Sequence, residues 1–208
     1  MRKDIIWKHI HAEREVMADT LAGLSPDAWA TPSLCTGWSV KETAGHILAA
    51  AEQTPLNFYK ELIAARFKFD VFTDRAARRL GTLEPSVLVG RLRARTTTTN
   101  HPPAPVLAML GEIVVHGEDI RRPLAIAHQP PEEALLALAD SYKKTNLLIG
   151  AKRRIAGLRL RATDAAWTTG DGPDVTGPLA SLVLAMTGRK AAHADLAGEG
   201  LATLVTRD

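Results

Sequence analysis

The sequence predicts a mainly α-helical protein, namely a four-helix bundle followed by a small C-terminal α/β segment. Apolar residues recur at helical spacing in several stretches of the first 150 residues. Pro, Gly and Ser interrupt these stretches at the points where helices would begin or end. After Gly157 the pattern changes, because residues 158–163 alternate with period two, which is typical of β-strands.

The first two helices are separated by a loop rich in Pro, Thr, Ser and Gly, residues 25–38. The apolar pattern predicts the first helix over residues 4–24. The second helix begins after Ser39 and runs to about Gln53. Glu42 stands three residues after Ser39, so the two form a capping-box signature. Pro55 would kink or restart this helix before an amphipathic stretch that reaches Phe69.

Three further helices follow the same pattern, and prolines separate them. The first two complete the four-helix set, and Gly150 is expected to end the last one as a C-cap. The predicted ranges are Glu84 or Pro85 to about Thr98, Val106 to about Leu124, and Glu132 to Ile149.

The C-terminal segment is predicted to be a small α/β unit. Residues 158–163 and 166–169 have strand-like sequences, and a helix is expected from Pro178 to Thr187 with Gly188 at its end. We therefore expect a helical domain at 1–150 and an α/β segment at 151–208.

Composition favours an ordinary globular domain, because 46% of the 208 residues are hydrophobic and 24% are charged. Cys35 is the only cysteine, so no intrachain disulfide can form, and a cytoplasmic location is expected. The N-terminus lacks the apolar core of a signal peptide. No run approaches the ~20 apolar residues of a membrane span, so no membrane partner is expected.

The net charge of +3 does not predict nucleic-acid binding. The basic residues fall into three groups without interleaved aromatic residues that could stack on bases, so solvated helix faces are the better interpretation. These groups are Arg75, Arg78 and Arg79; Arg91, Arg93 and Arg95; and Lys152, Arg153, Arg154, Arg159 and Arg161.

The most specific chemical signal is the pair Glu112 and His116. Residues four apart on a helix project from the same face, with Cβ atoms ~5–6 Å apart, so one metal ion can bridge them. His46 is the best candidate for a third ligand, because it lies in an apolar turn where a buried imidazole needs a polar partner. Three protein ligands with an open position are typical of catalytic zinc sites.

Other interpretations of these residues stay open. Glu112 and His116 could form a surface ion pair. Glu42 with His46 would suit a two-metal site, although the capping role of Glu42 is preferred. Glu118 and Asp119 are either partners of a ligating imidazole or solvated residues. Cys35 is interpreted as a small filler residue, because no adjacent base is visible in the sequence.

Two segments resemble the mycothiol-dependent maleylpyruvate isomerase family, whose N-terminal part is a DinB-like four-helix bundle. They are Leu34 to Leu48, which contains Thr-Gly-Trp and His46, and Gly111 to Arg121, which contains Glu112 and His116. The resemblance implies a metal triad of His46, Glu112 and His116. It also implies a catalytic arginine that holds substrate or thiol, and Arg189 occupies the similar position, although such an arginine can also simply cap a helix.

The resemblance further implies a divalent metal, with zinc expected, and mycothiol as cofactor. The metal would lower the pKa of the thiol; the thiolate would add to a cis double bond, and rotation and elimination would give the trans isomer. Because fold does not fix function, transfer of the thiol to another small electrophile is equally open. The alternatives are a non-catalytic protein with a structural ion and a basic adaptor without metal. A homodimer also stays open.

Overall fold

A computed structural model describes residues 1–147 and 149–207 of the chain. The chain divides into two compact units, Met1–His128 and Gln129–Asp208. Each unit has its own apolar core, with Ile10 and Leu110 among the fully buried side chains of the first unit and Leu160 and Leu182 among those of the second.

The first unit is built on a four-helix bundle. Helices α1, α3, α6 and α7 form a closed ring, because α1 packs on α6 and α7, and α3 packs on the same two helices from the other side. This arrangement confirms the predicted mainly helical fold. The helices of this unit are α1 (Lys3–Ala22), α2 (Pro26–Ala30), α3 (Val40–Glu52), α4 (Pro55–Ala64), α5 (Phe69–Gly81), α6 (Pro85–Arg93) and α7 (Val106–Arg121).

Helix α3 begins where the sequence predicts it. The Ser39 side chain accepts a hydrogen bond from the backbone N–H of Glu42, and the Glu42 carboxylate accepts one from the backbone N–H of Ser39, so the capping box is complete. Two donors that the helix itself cannot satisfy are therefore paired. The cap fixes the start of the helix that carries His46.

Helix α5 has no counterpart among the predicted helices, although it packs closely on α3. A Cβ atom built on Gly45 would lie 2.7 Å from the carbonyl oxygen of Ala77 and 2.8 Å from the backbone nitrogen of Gly81. The two helices therefore approach at backbone distance, and only glycine fits at position 45. On α5 the contact is formed by Ala77 and Gly81. Because these residues are small, the sequence shows few large apolar residues that would predict a helix here.

Helix α4 differs from the bundle helices because none of its residues is buried. Several of its apolar side chains are strongly exposed, with Leu56 at 79% and Ile63 at 59%. After α4 the chain turns through Arg66 and Phe67, both with positive φ, before α5 begins. The amphipathic stretch predicted from Pro55 to Phe69 is thus helical only over Pro55–Ala64, and it contacts the buried Phe72 of α5 through Phe58.

The second unit combines short helices with a three-stranded sheet in the order β2-β1-β3. Strand β1 pairs antiparallel with β2, with Leu160 opposite Thr169, and parallel with β3, with Leu160 opposite Val175. The elements are α8 (Glu132–Tyr142), α9 (Ala151–Arg154), β1 (Arg159–Ala162), β2 (Thr168–Thr169), β3 (Asp174–Gly177), α10 (Leu179–Met186), a 3₁₀ helix (Lys190–Asp195) and α11 (Leu201–Val205).

Helix α8 ends at Tyr142, earlier than predicted, so Gly150 is not its C-cap. Gly150 has the left-handed conformation expected of a cap residue, with φ of 65°, but it precedes α9 instead of closing α8. Helix α8 packs on α10 within the second unit. This grouping differs from the domain limits 1–150 and 151–208 drawn from the sequence, which remain a prediction.

Across residues 1–147 and 149–207, no helix combines the length and the apolar character that crossing a membrane requires.

Candidate metal centre

Two bundle helices bring His46, Glu112 and His116 together. His46 is a buried residue of α3, and Glu112 and His116 lie one turn apart on α7, so all three face the same point between these helices. Nε2 of His46 lies 2.9 Å from Oε2 of Glu112, and Nε2 of His116 lies 3.5 Å from the same oxygen. Each residue offers one ligand atom, and these atoms lie within 4.8 Å of one another.

A buried carboxylate lies behind His116. Oδ2 of Asp119 is 2.9 Å from Nδ1 of His116, and the Asp119 side chain is completely shielded from solvent. The Asp119 carboxylate accepts from Nδ1–H of His116, so Nε2 is the ring nitrogen that faces Glu112 and His46. Of the two roles that the sequence leaves open for Asp119, the structure therefore selects the partner of an imidazole over the solvated residue.

Cys35 belongs to the same network, so its interpretation as a filler residue is wrong. Its thiol donates to Oδ2 of Asp119 at 3.1 Å and lies 3.4 Å from Nδ1 of His116. The backbone N–H of neighbouring Leu34 donates to the carbonyl oxygen of Asp119 at 3.0 Å. The loop before α3 is thus fixed to α7. No sequence signal points to this contact, because 81 residues separate Cys35 from His116.

Trp38 forms one wall of the centre. Its ring lies 5.2 Å from the His46 ring, and its indole N–H donates to Asp74 of α5 at 2.9 Å. Asp74 in turn accepts from Arg78 at 2.9 Å. Gly37, which has a φ of 79°, turns the chain directly before Trp38. Asp74 was not among the predicted site residues, because the helix that carries it was not predicted.

Two other acidic residues considered from the sequence are engaged elsewhere. Glu42 accepts from the Ser39 cap and pairs with Arg78 at 3.0 Å, which confirms its capping role. Glu118 accepts from Arg122 at 3.3 Å, and burial raises the pKa of its carboxyl group.

The charges around His116 favour a cation at this point. Burial lowers the pKa of His116, but the hydrogen bond to Asp119, the Cys35 thiol and the negative charge of Glu112 outweigh it and raise the pKa to about 10. The acidic surroundings of the imidazole thus stabilise its protonated, positively charged form.

The N-terminal part of this chain is similar to a known domain family. Residues 10–104 match the family model of the mycothiol maleylpyruvate isomerase N-terminal domain. This segment is similar to that domain family over slightly less than half of the chain. The resemblance stated from the sequence is thereby confirmed. The matched segment includes Cys35, Trp38 and His46 and ends just before α7, which carries Glu112 and His116.

Two solved structures share the fold of nearly the whole chain. One is a crystal structure of the mycothiol-dependent maleylpyruvate isomerase, with a TM-score of 0.67 and 16% identity. The other is a histidine-to-alanine mutant of the mycothiol-dependent maleylpyruvate isomerase, with a TM-score of 0.63 and 14% identity. Each match covers 96% of this chain and 93% of the other. No curated protein matches the chain in sequence.

The donor set at this centre suits a divalent metal ion. Two imidazoles and one carboxylate are suitable ligands for zinc and similar ions, and a carboxylate behind one imidazole is a frequent companion of such ligands. Glu112 Oε2 already lies within 3.5 Å of both imidazole Nε2 atoms, so small side-chain shifts would admit an ion.

Arg189, the predicted catalytic arginine, belongs to the second unit. It follows Gly188 and directly precedes the 3₁₀ helix, and the half-buried side chain donates from Nη1 to the carbonyl oxygen of Thr187 at 3.1 Å. The helix before it ends at Met186, close to the predicted end at Thr187. The catalytic role of Arg189 remains a prediction.

Proposed function

We propose that His46, Glu112 and His116 hold one divalent metal ion, with zinc expected, and that the protein is a mycothiol-dependent enzyme. It would act on a small electrophilic substrate, either as a cis-trans isomerase or as a thiol S-transferase. The convergence of the three ligand atoms within 4.8 Å of one another carries this proposal. The isomerase named in the similar crystal structures supports the choice of thiol.

The residues around the triad prepare it for a metal ion. Asp119 holds the Nδ1 proton of His116, so Nε2 is the atom that would bind the ion in place of its own proton. Trp38 packs against His46 and restricts its rotation. A bound divalent ion would supply the positive charge that lowers the pKa of a thiol and presents it as a thiolate at neutral pH.

The exposure of the triad favours a catalytic over a structural ion. The Glu112 side chain is 34% exposed, whereas those of His46 and His116 are 11% and 15% exposed, so solvent reaches the centre on the Glu112 side. A fourth protein ligand could come from Glu118 or Asp119. However, Glu118 accepts a hydrogen bond from Arg122, and Asp119 accepts one from Nδ1 of His116, which faces away from the triad. An open position is what a thiol would need.

Substrate binding would require a cation in addition to the metal. We assign this role to Arg189, whose guanidinium can pair with a carboxylate in two parallel hydrogen bonds. In this function Arg189→Lys keeps the positive charge but cannot form the two parallel hydrogen bonds, and Arg189→Ala loses both the charge and the hydrogen bonds. We expect KM for an anionic substrate to rise in the order wild type, Lys, Ala, while metal content stays unchanged. Equal KM values in all three proteins would remove Arg189 from the site.

Elemental analysis of the purified protein tests the metal centre. We expect about one equivalent of a divalent metal in the wild type and its loss in His46→Ala and Glu112→Ala. Matched controls are His9→Ala and Glu15→Ala, which change the same residue types on α1. Circular dichroism shows whether each variant is folded. A folded wild type without metal, even after dialysis against zinc, would disprove the centre.

Thiol binding separates the enzyme from the structural module. In protein loaded with cobalt, addition of mycothiol should change the visible absorption spectrum, because a new sulfur ligand replaces water. A spectrum that does not respond to mycothiol would favour the structural ion. If the spectrum responds, assays with a maleyl-type cis acid and with a simple electrophile distinguish the isomerase from the S-transferase.

A further inference from the structure

A second polar site lies in the C-terminal unit, where arginine residues line a cavity of about 330 Å³. Its lining residues are Gly150, Arg153, Arg154 and Arg207, and none of these described residues carries a carboxylate. Arg153 and Arg154 belong to the third basic group of the sequence. This group takes no part in the four-helix bundle or in the metal centre.

Two of these guanidinium groups are held in place by backbone carbonyls. Arg154 donates from Nη1 to the carbonyl oxygens of Ile149 and Met186, both at 2.9 Å. Arg207 donates from Nη1 to the carbonyl oxygens of Arg154 and Ala156, both at 2.7 Å. A guanidinium has five N–H donors, so two carbonyls do not exhaust the donors of Arg207. Because these side chains are already fixed, they lose less conformational entropy when a ligand binds.

The position of Arg153 is set by its backbone. Its N–H donates to Oδ1 of Asn146 at 2.7 Å, which closes the turn from α8 to α9. The Arg153 side chain is exposed, so it can adapt to a ligand without disturbing the core. Arg159, in the same basic group, behaves differently, because it is already paired with Asp174 through two hydrogen bonds of 2.5 and 3.0 Å.

We propose that this arginine cavity binds a small molecule that carries a phosphate group. Guanidinium forks match phosphate oxygens, and a tetrahedral phosphate offers Arg153 and Arg207 more acceptor oxygens than a planar carboxylate, which has only two. The volume lies near the lower end of the ~300–1,000 Å³ of small-molecule pockets, so it admits a phosphate with a small organic group. This site is independent of the proposed metal and thiol chemistry.

An NMR titration of the full-length protein with inorganic phosphate and with glycerol phosphate tests the site. We expect saturable shifts of backbone resonances centred on residues 150–156. The primary variant is Arg153→Gln, because its side chain anchors no backbone carbonyl and its loss should not affect folding. Arg207→Gln is the second variant, and Arg159→Gln is the control, with the same loss of charge in the same unit.

Affinity for glycerol phosphate should fall about fivefold or more in Arg153→Gln and Arg207→Gln, because each loses a charge-assisted hydrogen bond. It should stay within about twofold of wild type in Arg159→Gln, because an exposed pair contributes little. Succinate, an anion of similar charge, should bind more weakly. Shifts that do not saturate, equal loss in all three variants, or equal binding of succinate would show nonspecific attraction and overturn the proposal.

Discussion

Oδ2 of Asp119 lies 2.9 Å from Nδ1 of His116 and is completely shielded from solvent. The two residues are three positions apart on α7, so the helix itself fixes their relative position. This buried carboxylate also accepts from the Cys35 thiol, and both donors help to compensate for its lost hydration. The pair therefore connects the proposed metal centre to the core of the bundle.

Replacement of Asp119 by Asn should weaken metal binding without removing a ligand. The neutral amide holds the His116 imidazole less firmly and makes it less basic, so we expect metal affinity to fall about 10- to 100-fold. A competition titration with a zinc-binding dye measures the change. Asp27→Asn, at an exposed position of α2, is the control. Affinity that is equal to wild type in a folded Asp119→Asn protein would show that the carboxylate does not support the ligand.

Cys35 should act through its hydrogen bond and not through nucleophilic chemistry. Cys35→Ser retains a donor for Asp119, whereas Cys35→Ala leaves the buried carboxylate with one partner fewer. We expect Ala to reduce zinc affinity about fivefold, equivalent to about 1 kcal/mol, and Ser to restore most of it. If Ser and Ala reduce thiol-dependent activity equally and strongly while zinc affinity stays at the wild-type value, the thiol itself would be required.

The contact between Trp38 and Asp74 should make stability depend on pH in the acid range. The hydrogen bonds from the Trp38 indole and from Arg78 hold the pKa of Asp74 below its ordinary value of 3.8. The stabilisation is therefore fully present above the unfolded-state pKa and is lost as pH falls through the lower pKa of the folded state.

Urea unfolding of wild type and Asp74→Asn at several pH values tests this dependence. Because the Asp74 side chain is 43% exposed, we expect a difference below about 1 kcal/mol at neutral pH, which disappears in strong acid. Asp70→Asn, an exposed change on the same helix, is the control. A difference between wild type and Asp74→Asn that is constant across the pH range would argue against an ionised Asp74 as the acceptor.

The close approach of α3 and α5 predicts opposite effects for two helical glycines. Gly45→Ala places a methyl group within 2.8 Å of backbone atoms of α5, so we expect a loss of about 1–3 kcal/mol in the free energy of unfolding. A methyl group on Gly90 of α6 would meet no atom within 4 Å, so Gly90→Ala should stabilise the protein by up to about 1 kcal/mol. Chemical denaturation measures both values, and destabilisation of similar size in both variants would contradict the backbone contact.

Much of the bundle could be predicted because its helices carry local signals. The capping box of Ser39 and Glu42 marks the start of α3, and the spacing of Glu112 and His116 places both on one face of α7. Such signals need only a few neighbouring residues.

The parts that could not be predicted depend on contacts between distant segments. Helix α5 has buried residues at helical spacing, but two of the four are alanines, so the pattern is faint; they are Phe72, Ala76, Ala77 and Leu80. Cys35 reaches Asp119 only because the loop before α3 folds onto α7. Gly150 has the conformation expected from its type, but the sequence could not show that α8 had already ended at Tyr142.

Because α4 exposes apolar side chains, it should unfold before the other helices. A helix of ten residues that buries no side chain gains little free energy from its neighbours, and an isolated helix of this length is barely stable in water. We therefore expect the amide protons of α4 to exchange with deuterium faster than those of α3 and α7, and limited proteolysis to cut first between Leu56 and Phe67. Local unfolding of this segment would break the contact between Phe58 and Phe72 of α5, while the four helices of the bundle stay packed together.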